Sequence, residues 1–174
     1  MKRLPAWRVR VPQETVTYED GGVGQVTQDL ARDVGDFVLR RGDGAFAYQL
    51  AVVVDDLDMG ITDVVRGADL VGSTPRQIWL MQTLGACAPR FVHVPLVLAA
   101  DGGRLEKRAG GLTVRELREG GVRAERVIGE LAFGLGLAPA PNPTTAAELS
   151  GRSLGRPFTP PREAWRVPES LVLR

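Results

Sequence analysis

Residues 61–78 read ITDVVRGADLVGSTPRQI, and this stretch predicts a strand followed by a helix. Its first six residues are mostly β-branched and are followed by Gly67, which is typical of a strand. Thr74 can cap a helix, Pro75 fits its first turn, and Gln77 completes the spacing of a capping box. Residues 91–99 predict one further strand, or two short ones split by a proline. The order strand, helix, strand predicts an α/β fold.

Upstream of this stretch, residues 36–40 and 47–54 predict two strands joined by a tight glycine-containing turn at 42–44. Residues 50–54 are apolar throughout, which is typical of a strand buried on both faces. The acidic residues in 55–58 are then expected in a loop at the end of that strand. Such a loop either offers oxygen ligands to a divalent cation or serves as a turn, and we assign no metal site to it.

Downstream of residue 110 the pattern becomes helical. Thr113 and Thr145 are each followed three residues later by a glutamate, the spacing of a capping box. Residues 123–137 carry apolar side chains at helical spacing. Gly129 and Gly134 within them weaken a helix intrinsically, so they indicate close packing or a bend. The proline-rich end of the chain is expected to be irregular.

Charge and composition exclude several kinds of function. The 174 residues carry 22 Lys+Arg against 21 Asp+Glu, so a strongly basic groove is excluded. Cys87 and His93 are each the only residue of their type, which excludes an internal disulfide, a cysteine-cluster zinc site and a two-histidine metal site. His93 is expected to lie in a strand with its ring hydrogen-bonded. The longest apolar runs, 50–54 and 94–100, are too short for a membrane span, and we expect a cytoplasmic protein.

Candidate ligand-binding residues stand at a few points in this pattern. Arg66 ends a predicted strand, and ligands of open α/β sheets bind beyond the carboxyl ends of strands. Its guanidinium suits a carboxylate, although a surface ion pair with Asp63 or Asp69 is an alternative interpretation. Tyr48 is a second candidate, with the alternative of a half-buried tyrosine whose hydroxyl is hydrogen-bonded. The charged residues 104–108 are either a third candidate or a solvated loop.

Four segments, in this order, resemble the glutamyl-tRNA synthetase group of class I aminoacyl-tRNA synthetases. They are 35–41 (GDFVLRR), 47–56 (AYQLAVVVDD), 60–70 (GITDVVRGADL) and 73–78 (STPRQI). Residues 113–122 and 131–137 are similar to the short relatives of this group, which lack an anticodon-binding domain. The resemblance covers roughly residues 7–170, and an ordered series of long segments is highly specific.

This resemblance implies a fold and a division of the chain. Residues 1–110 correspond to the second half of a Rossmann-like catalytic domain with a strand insertion, ending in a loop of the KMSKS type. Residues 111–174 correspond to a small helical region that contacts the tRNA stem, with an irregular tail. The expected fold class is therefore α/β with a small helical C-terminal appendix.

The resemblance also implies roles for individual residues. Tyr48 and Arg66 are expected to bind L-glutamate, with Arg66 facing its acidic side chain. Lys107 is the expected catalytic residue, since it matches the second lysine of the KMSKS-type loop, and with Arg104 it is expected to contact ATP. Mg²⁺ is expected with the nucleotide, and no zinc site is expected in this chain. Glu106 departs from the family, because it places an anion where the loop usually has a small hydroxyl residue.

Two functional hypotheses follow. In the first, the chain takes part in ATP-dependent activation of L-glutamate and its transfer to tRNA, with queuosine of tRNA(Asp) as acceptor. The HxGH-bearing front half of the family's catalytic domain has no counterpart here, so a separate N-terminal half is a candidate partner beside tRNA. In the second, the chain is a non-catalytic synthetase remnant that binds tRNA, an amino acid or a protein.

Overall fold

The structure is a computed structural model that describes residues 5–103, 105, 112–153, 161, 163–168 and 171. The chain divides into two compact units, residues 1–93 and 94–174. The division by role at residue 110 that the sequence predicts stays a prediction. None of the helices in the described residues is both long enough and apolar enough to cross a membrane.

The first unit is built from short strands and two α-helices. In chain order its elements are β1 (Trp7–Val9), β2 (Thr15–Asp20), β3 (Gly24–Asp29), β4 (Phe37–Arg40), α1 (Tyr48–Asp58), β5 (Asp63–Gly67), α2 (Thr74–Thr83) and β6 (Arg90–Val94). Strand β1 pairs antiparallel with β4, and β2 pairs antiparallel with β3. Strand β5 pairs with β6, so α2 connects two strands of one sheet as the sequence predicts. A π-helical turn at Leu30–Val34 and a 3₁₀ turn at Ala68–Ser73 complete the unit.

The strand predicted over residues 47–54 is wrong, because these residues begin helix α1. The tight turn before it does form, with the Gly44 amide donating to Arg41 O and Gly44 at φ +91°. Helix α1 then packs Val53 and Leu57 into a core shared with α2. A short continuous apolar run does not distinguish a strand from a buried helix, and here the helix places one side of the run in the core.

Two clusters of buried side chains hold the first unit together. One contains Val16, Leu30, Ile78 and Phe91. The other contains Phe37, Val53, Leu80 and Met81. Helix α2 contributes to both clusters, and α2 therefore holds the strand pair β5–β6 and α1 in one packed body.

In its described residues, the second unit contains three short helices and a small strand pair. Its elements are β7 (Val97–Leu98), α3 (Val114–Glu119), α4 (Ala124–Gly134), α5 (Ala146–Ser153) and β8 (Trp165–Arg166). Strands β7 and β8 pair in parallel, so the tail predicted to be irregular contains a strand at its described residues. Of the two alternatives for residues 91–99, one strand or two short ones, the structure has two, β6 and β7.

The capping boxes and glycines predicted in the second unit are confirmed. Thr113 and Glu116 exchange side-chain to backbone hydrogen bonds at the start of α3. The same exchange joins Thr145 and Glu148 before α5. A Cβ at Gly129 would collide with the Asn142 carbonyl, and one at Gly134 would meet the Trp165 ring at 2.6 Å. Close packing, one of the two predicted causes, accounts for both glycines.

Candidate functional site

The candidate site is centred on Arg66, the second-last residue of strand β5. Its Nε donates a hydrogen bond to His93 Nε2 (3.1 Å), and its Nη2 donates to Thr74 Oγ1 (2.7 Å). The guanidinium carbon lies 5.2 Å from the centroid of the Phe91 ring. Strand β6 and the start of α2 therefore fix this side chain on three sides, with one contact each from His93, Thr74 and Phe91.

A buried acid–histidine pair lies behind the guanidinium. His93 Nδ1 is 2.5 Å from Asp20 Oδ2, and both side chains are fully shielded from solvent. The Oδ1 atom of Asp20 also accepts hydrogen bonds from the backbone amides of Gly22, Val23 and His93. Burial alone would raise the pKa of Asp20, but the hydrogen bonds from His93 and these amides lower it below its ordinary value. Asp20 is therefore a carboxylate at neutral pH.

The hydrogen-bond directions define the tautomer of His93. A carboxylate only accepts hydrogen bonds, so the proton between Asp20 and the ring belongs to His93 Nδ1. The guanidinium of Arg66 only donates, so His93 Nε2 must be the unprotonated acceptor. The ring is thus neutral. It donates to Asp20 through Nδ1 and accepts from Arg66 through Nε2, so it links the two side chains.

Among the described residues, the positive charge of Arg66 acts on the titratable groups of Tyr18 and Asp56. Burial raises the pKa of Tyr18, and the Thr74 hydroxyl opposes this rise only in part. Burial also raises the pKa of Asp56, which lies on α1, while the positive charge of Arg66 lowers it in part and Asp55 raises it.

Tyr48 occupies the first position of α1 and is 53% exposed. In the part of the chain that the structure describes, its hydroxyl makes no hydrogen bond to Arg66. The next residue, Gln49, hydrogen-bonds residues at the start of α2. Its Nε2 donates to Ser73 Oγ (3.2 Å), and its Oε1 accepts from Gln77 Nε2 (2.8 Å). The start of α1 is thereby tied to the start of α2, where Thr74 holds Arg66.

The capping box predicted at Thr74 and Gln77 is wrong. Ser73 occupies the N-cap position and makes no side-chain cap. The Thr74 hydroxyl is engaged by Arg66 and by Leu70 O (3.3 Å), and the Gln77 amide is engaged by Gln49. Tertiary partners have replaced the local hydrogen bonds that the spacing predicts.

Other predicted residues fall into two groups. Arg104, Glu106 and Lys107 lie outside the described residues, so their roles stay predictions. Asp55, Asp56 and Asp58 lie on α1 and not in a loop, which corrects the predicted acidic loop. Within residues 5–103 and the other described ranges, no cluster of three or more His, Cys, Asp or Glu could hold a metal ion.

Among the described residues, Arg66 does not form the surface ion pair with Asp63 or Asp69 that was considered as an alternative. Asp63 pairs instead with Arg90 at 2.5 Å. His93 does lie in a strand with both ring nitrogens hydrogen-bonded, as predicted. Sequence reasoning missed Asp20, whose position before two glycines indicates only a turn, and it gave Thr74 a capping role alone.

Comparisons with known proteins place this chain in a class. The catalytic-domain model of the class I tRNA synthetases (E and Q) matches residues 4–140. The chain therefore belongs to this family, and its α/β fold is a fragment of a class I synthetase catalytic domain.

Among individual proteins, the chain is similar to several named glutamyl-Q tRNA(Asp) synthetase. It is 51% identical to the Nitratidesulfovibrio vulgaris protein over 137 residues, which are 79% of this chain and 42% of that protein. It is 46% identical to a Neisseria meningitidis serogroup C protein over 149 residues, 84% of this chain and 48% of the relative. It is 59% identical to a Xanthomonas campestris pv. campestris protein over 103 residues, which are 59% of this chain and 35% of that protein. The chain thus spans half or less of the length of these curated relatives.

Solved structures agree with the family assignment. A glutamate tRNA ligase from Elizabethkingia meningosepticum, in complex with its amino acid, superposes with a TM-score of 0.72 at 26% identity. That match covers 91% of this chain and 35% of the other. The glutamate-tRNA synthetase of Elizabethkingia anophelis gives a TM-score of 0.74 at 26% identity, over 92% of this chain and 36% of the other.

Proposed function

We propose that this chain takes part in an ATP-dependent ligase reaction that activates L-glutamate and transfers it to tRNA, with queuosine of tRNA(Asp) as acceptor. The names of its relatives support the amino acid and the tRNA. The observation that carries the proposal is the held guanidinium of Arg66, at the end of β5. We also propose a cytoplasmic location, where tRNA and ATP are both present.

The side-chain carboxylate of L-glutamate is the group that Arg66 receives. The Nε and Nη2 atoms already donate to His93 and Thr74, and these N–H groups share one edge of the guanidinium. The terminal edge, formed by Nη1 and the second Nη2 N–H, has no hydrogen-bond acceptor among the described residues. A carboxylate binds such an edge with two parallel hydrogen bonds. Tyr48, at the start of α1, is proposed to complete the amino-acid site.

Activation requires the attack of the glutamate α-carboxylate on the α-phosphate of ATP, with pyrophosphate as leaving group. Lys107 is proposed to stabilise the charge that builds on the pyrophosphate, and Arg104 to contact the nucleotide. Mg²⁺ would accompany the phosphates of ATP. Because the chain spans half or less of its relatives, the complete reaction is proposed only for a protein that also has the remaining part, within one polypeptide or supplied by a separate one.

The amino-acid site is tested by calorimetric titration of the chain with L-glutamate. We expect saturable binding that Arg66→Ala abolishes. Arg90→Ala is the matched control, since Arg90 is an exposed arginine on the neighbouring strand that pairs with Asp63. If Arg66→Ala binds L-glutamate as the unaltered chain does, the site is assigned to the wrong residue.

A non-catalytic module is the second candidate, and Glu106 favours it. An anion in the nucleotide-binding loop repels the ATP phosphates, although solvent screens the effect. The two candidates differ in glutamate-dependent ATP–pyrophosphate exchange, measured with the missing half of a relative supplied. Exchange that Lys107→Ala removes supports the ligase. Glutamate binding without any exchange supports the module.

A further inference from the structure

We propose that Asp20, His93 and Thr74 are positioning residues that fix the orientation of Arg66 for carboxylate recognition. This inference rests on the glutamate site proposed above and adds the mechanism by which its guanidinium is held. The three residues come from three different elements: the end of β2, strand β6 and the start of α2. All three are buried.

The first step concerns which edge of the guanidinium stays available. His93 Nε2 and Thr74 Oγ1 take the Nε–H and one Nη2–H, which lie side by side. A ligand carboxylate is then restricted to the terminal edge of Arg66. The Phe91 ring lies against one face at 5.2 Å, so the guanidinium plane is fixed as well as its edge. A side chain held this way loses little further conformational freedom when a ligand binds.

The second step concerns the acceptor nitrogen of His93. It accepts from Arg66 only while the ring proton stays on Nδ1, and the Asp20 carboxylate keeps it there. Asp20 is itself held by the amides of Gly22, Val23 and His93, which all point at Oδ1. The turn after β2 thus sets the tautomer that orients Arg66.

The third step concerns Thr74. Its hydroxyl oxygen accepts from Arg66 Nη2 (2.7 Å) and lies 3.3 Å from both Leu70 O and His93 Nε2, so its one proton is donated to one of these two acceptors. The Tyr18 hydroxyl and the Asp56 carboxylate interact electrostatically with Arg66. Neither provides a second acceptor for the Nε–H of Arg66, so the tautomer of His93 decides whether that bond forms.

The tautomer provides a test that does not depend on any activity. His93 is the only histidine, so ¹⁵N-histidine labelling of the whole chain reports this ring alone. We expect a proton on Nδ1 and an unprotonated Nε2. In Asp20→Asn the amide oxygen takes the Oδ1 place, and its NH₂ then faces Nδ1. The ring proton moves to Nε2, where it opposes the Arg66 Nε–H. A proton on Nε2 in the unaltered chain would overturn the proposal.

L-glutamate titration of variants tests the effect on recognition. Asp20→Asn is expected to weaken binding about tenfold or more, the loss that follows when one hydrogen bond to a charged group of about 1.5 kcal/mol is removed. Thr74→Val is expected to weaken binding similarly, whereas Thr74→Ser keeps the hydroxyl and the affinity. Asp63→Asn, an exposed aspartate on the same strand as Arg66, is the control. On an Arg66→Ala background, Asp20→Asn should cause no further loss.

The outcomes separate this proposal from the one it rests on. Undiminished binding by Asp20→Asn and Thr74→Val overturns the positioning role and leaves the glutamate site standing. If the unaltered chain does not bind L-glutamate, the glutamate site is wrong, and the ring-nitrogen signals still decide how Arg66 is held. A purely structural role for Asp20 would lower the urea midpoint of Asp20→Asn without changing the affinity of the folded protein.

Discussion

Replacing Asp20 by alanine is expected to destabilise the first unit strongly. Oδ1 and Oδ2 together accept four hydrogen bonds, from the amides of Gly22, Val23 and His93 and from the His93 ring. In Asp20→Ala these donors lose their acceptor while they stay buried or partly buried. Each unsatisfied buried donor costs about 1–3 kcal/mol, so a simple sum is about 4–12 kcal/mol.

Relaxation reduces this sum, since water entering the vacated space can accept from some of the donors. We therefore take the lower end of this sum, about 4 kcal/mol, as the expected loss of unfolding free energy. The free energy of unfolding of a domain is about 5–15 kcal/mol, so the variant is expected to stay folded with a reduced free energy of unfolding. With a urea dependence of about 1–3 kcal/mol per molar, the midpoint should fall by about 1–4 M.

The assay is urea unfolding followed by circular dichroism and by the fluorescence of the three tryptophans, of which Trp79 packs against the first unit's core. Asp63→Ala is the matched control, because it removes an exposed aspartate whose partner Arg90 stays hydrated. Equal midpoints for Asp20→Ala and Asp63→Ala would refute the view that Asp20 anchors this unit.

Three further outcomes follow from the same contacts. The pKa of Asp20 is lower in the folded state than in the unfolded chain. The stabilisation from Asp20 is therefore present above the unfolded pKa of about 3.9 and is lost as the pH falls through the folded pKa. Urea midpoints measured from about pH 7 to about pH 2 should accordingly change less with pH in Asp20→Asn than in the unaltered chain. Gly134→Ala meets the Trp165 ring and should destabilise the second unit by about 1–3 kcal/mol, whereas Gly151→Ala enters open space and should leave the melting temperature unchanged or higher. Val53→Ala removes two methyl groups from a fully buried side chain and should cost about 1–3 kcal/mol in urea unfolding, and no change would show that α1 does not pack as described.

The helices and strands around the site were predictable to different degrees. Strand β5 and helix α2 follow directly from β-branched residues ending at a glycine and from Pro75 in a first turn. Helix α1 did not follow, because its five-residue apolar run fits a strand as well as a helix. The spacing of Leu50, Val53 and Leu57, one helical face, was the signal that favoured the helix.

The residues of the site show the same division. Arg66 was a candidate from its place at a strand end, and the resemblance strengthened it. Asp20 lies 46 residues before Arg66 in the sequence, and nothing local marks it as a partner of His93. The contacts of Thr74 are also tertiary, and local spacing predicts a cap where the fold uses the hydroxyl for Arg66. Only the packing of β2, β5, β6 and α2 brings these groups together.

Nuclear magnetic resonance of the Arg66 side chain tests most directly whether its guanidinium receives the acidic side chain of L-glutamate. With ¹⁵N-arginine labelling, the Nε–H signal of Arg66 is identified by its absence from Arg66→Lys. We predict that L-glutamate shifts this signal saturably and that L-glutamine, which has the same backbone and no side-chain charge, does not. An Arg66 Nε–H signal whose chemical shift does not change with L-glutamate, or changes equally with both amino acids, would contradict the account.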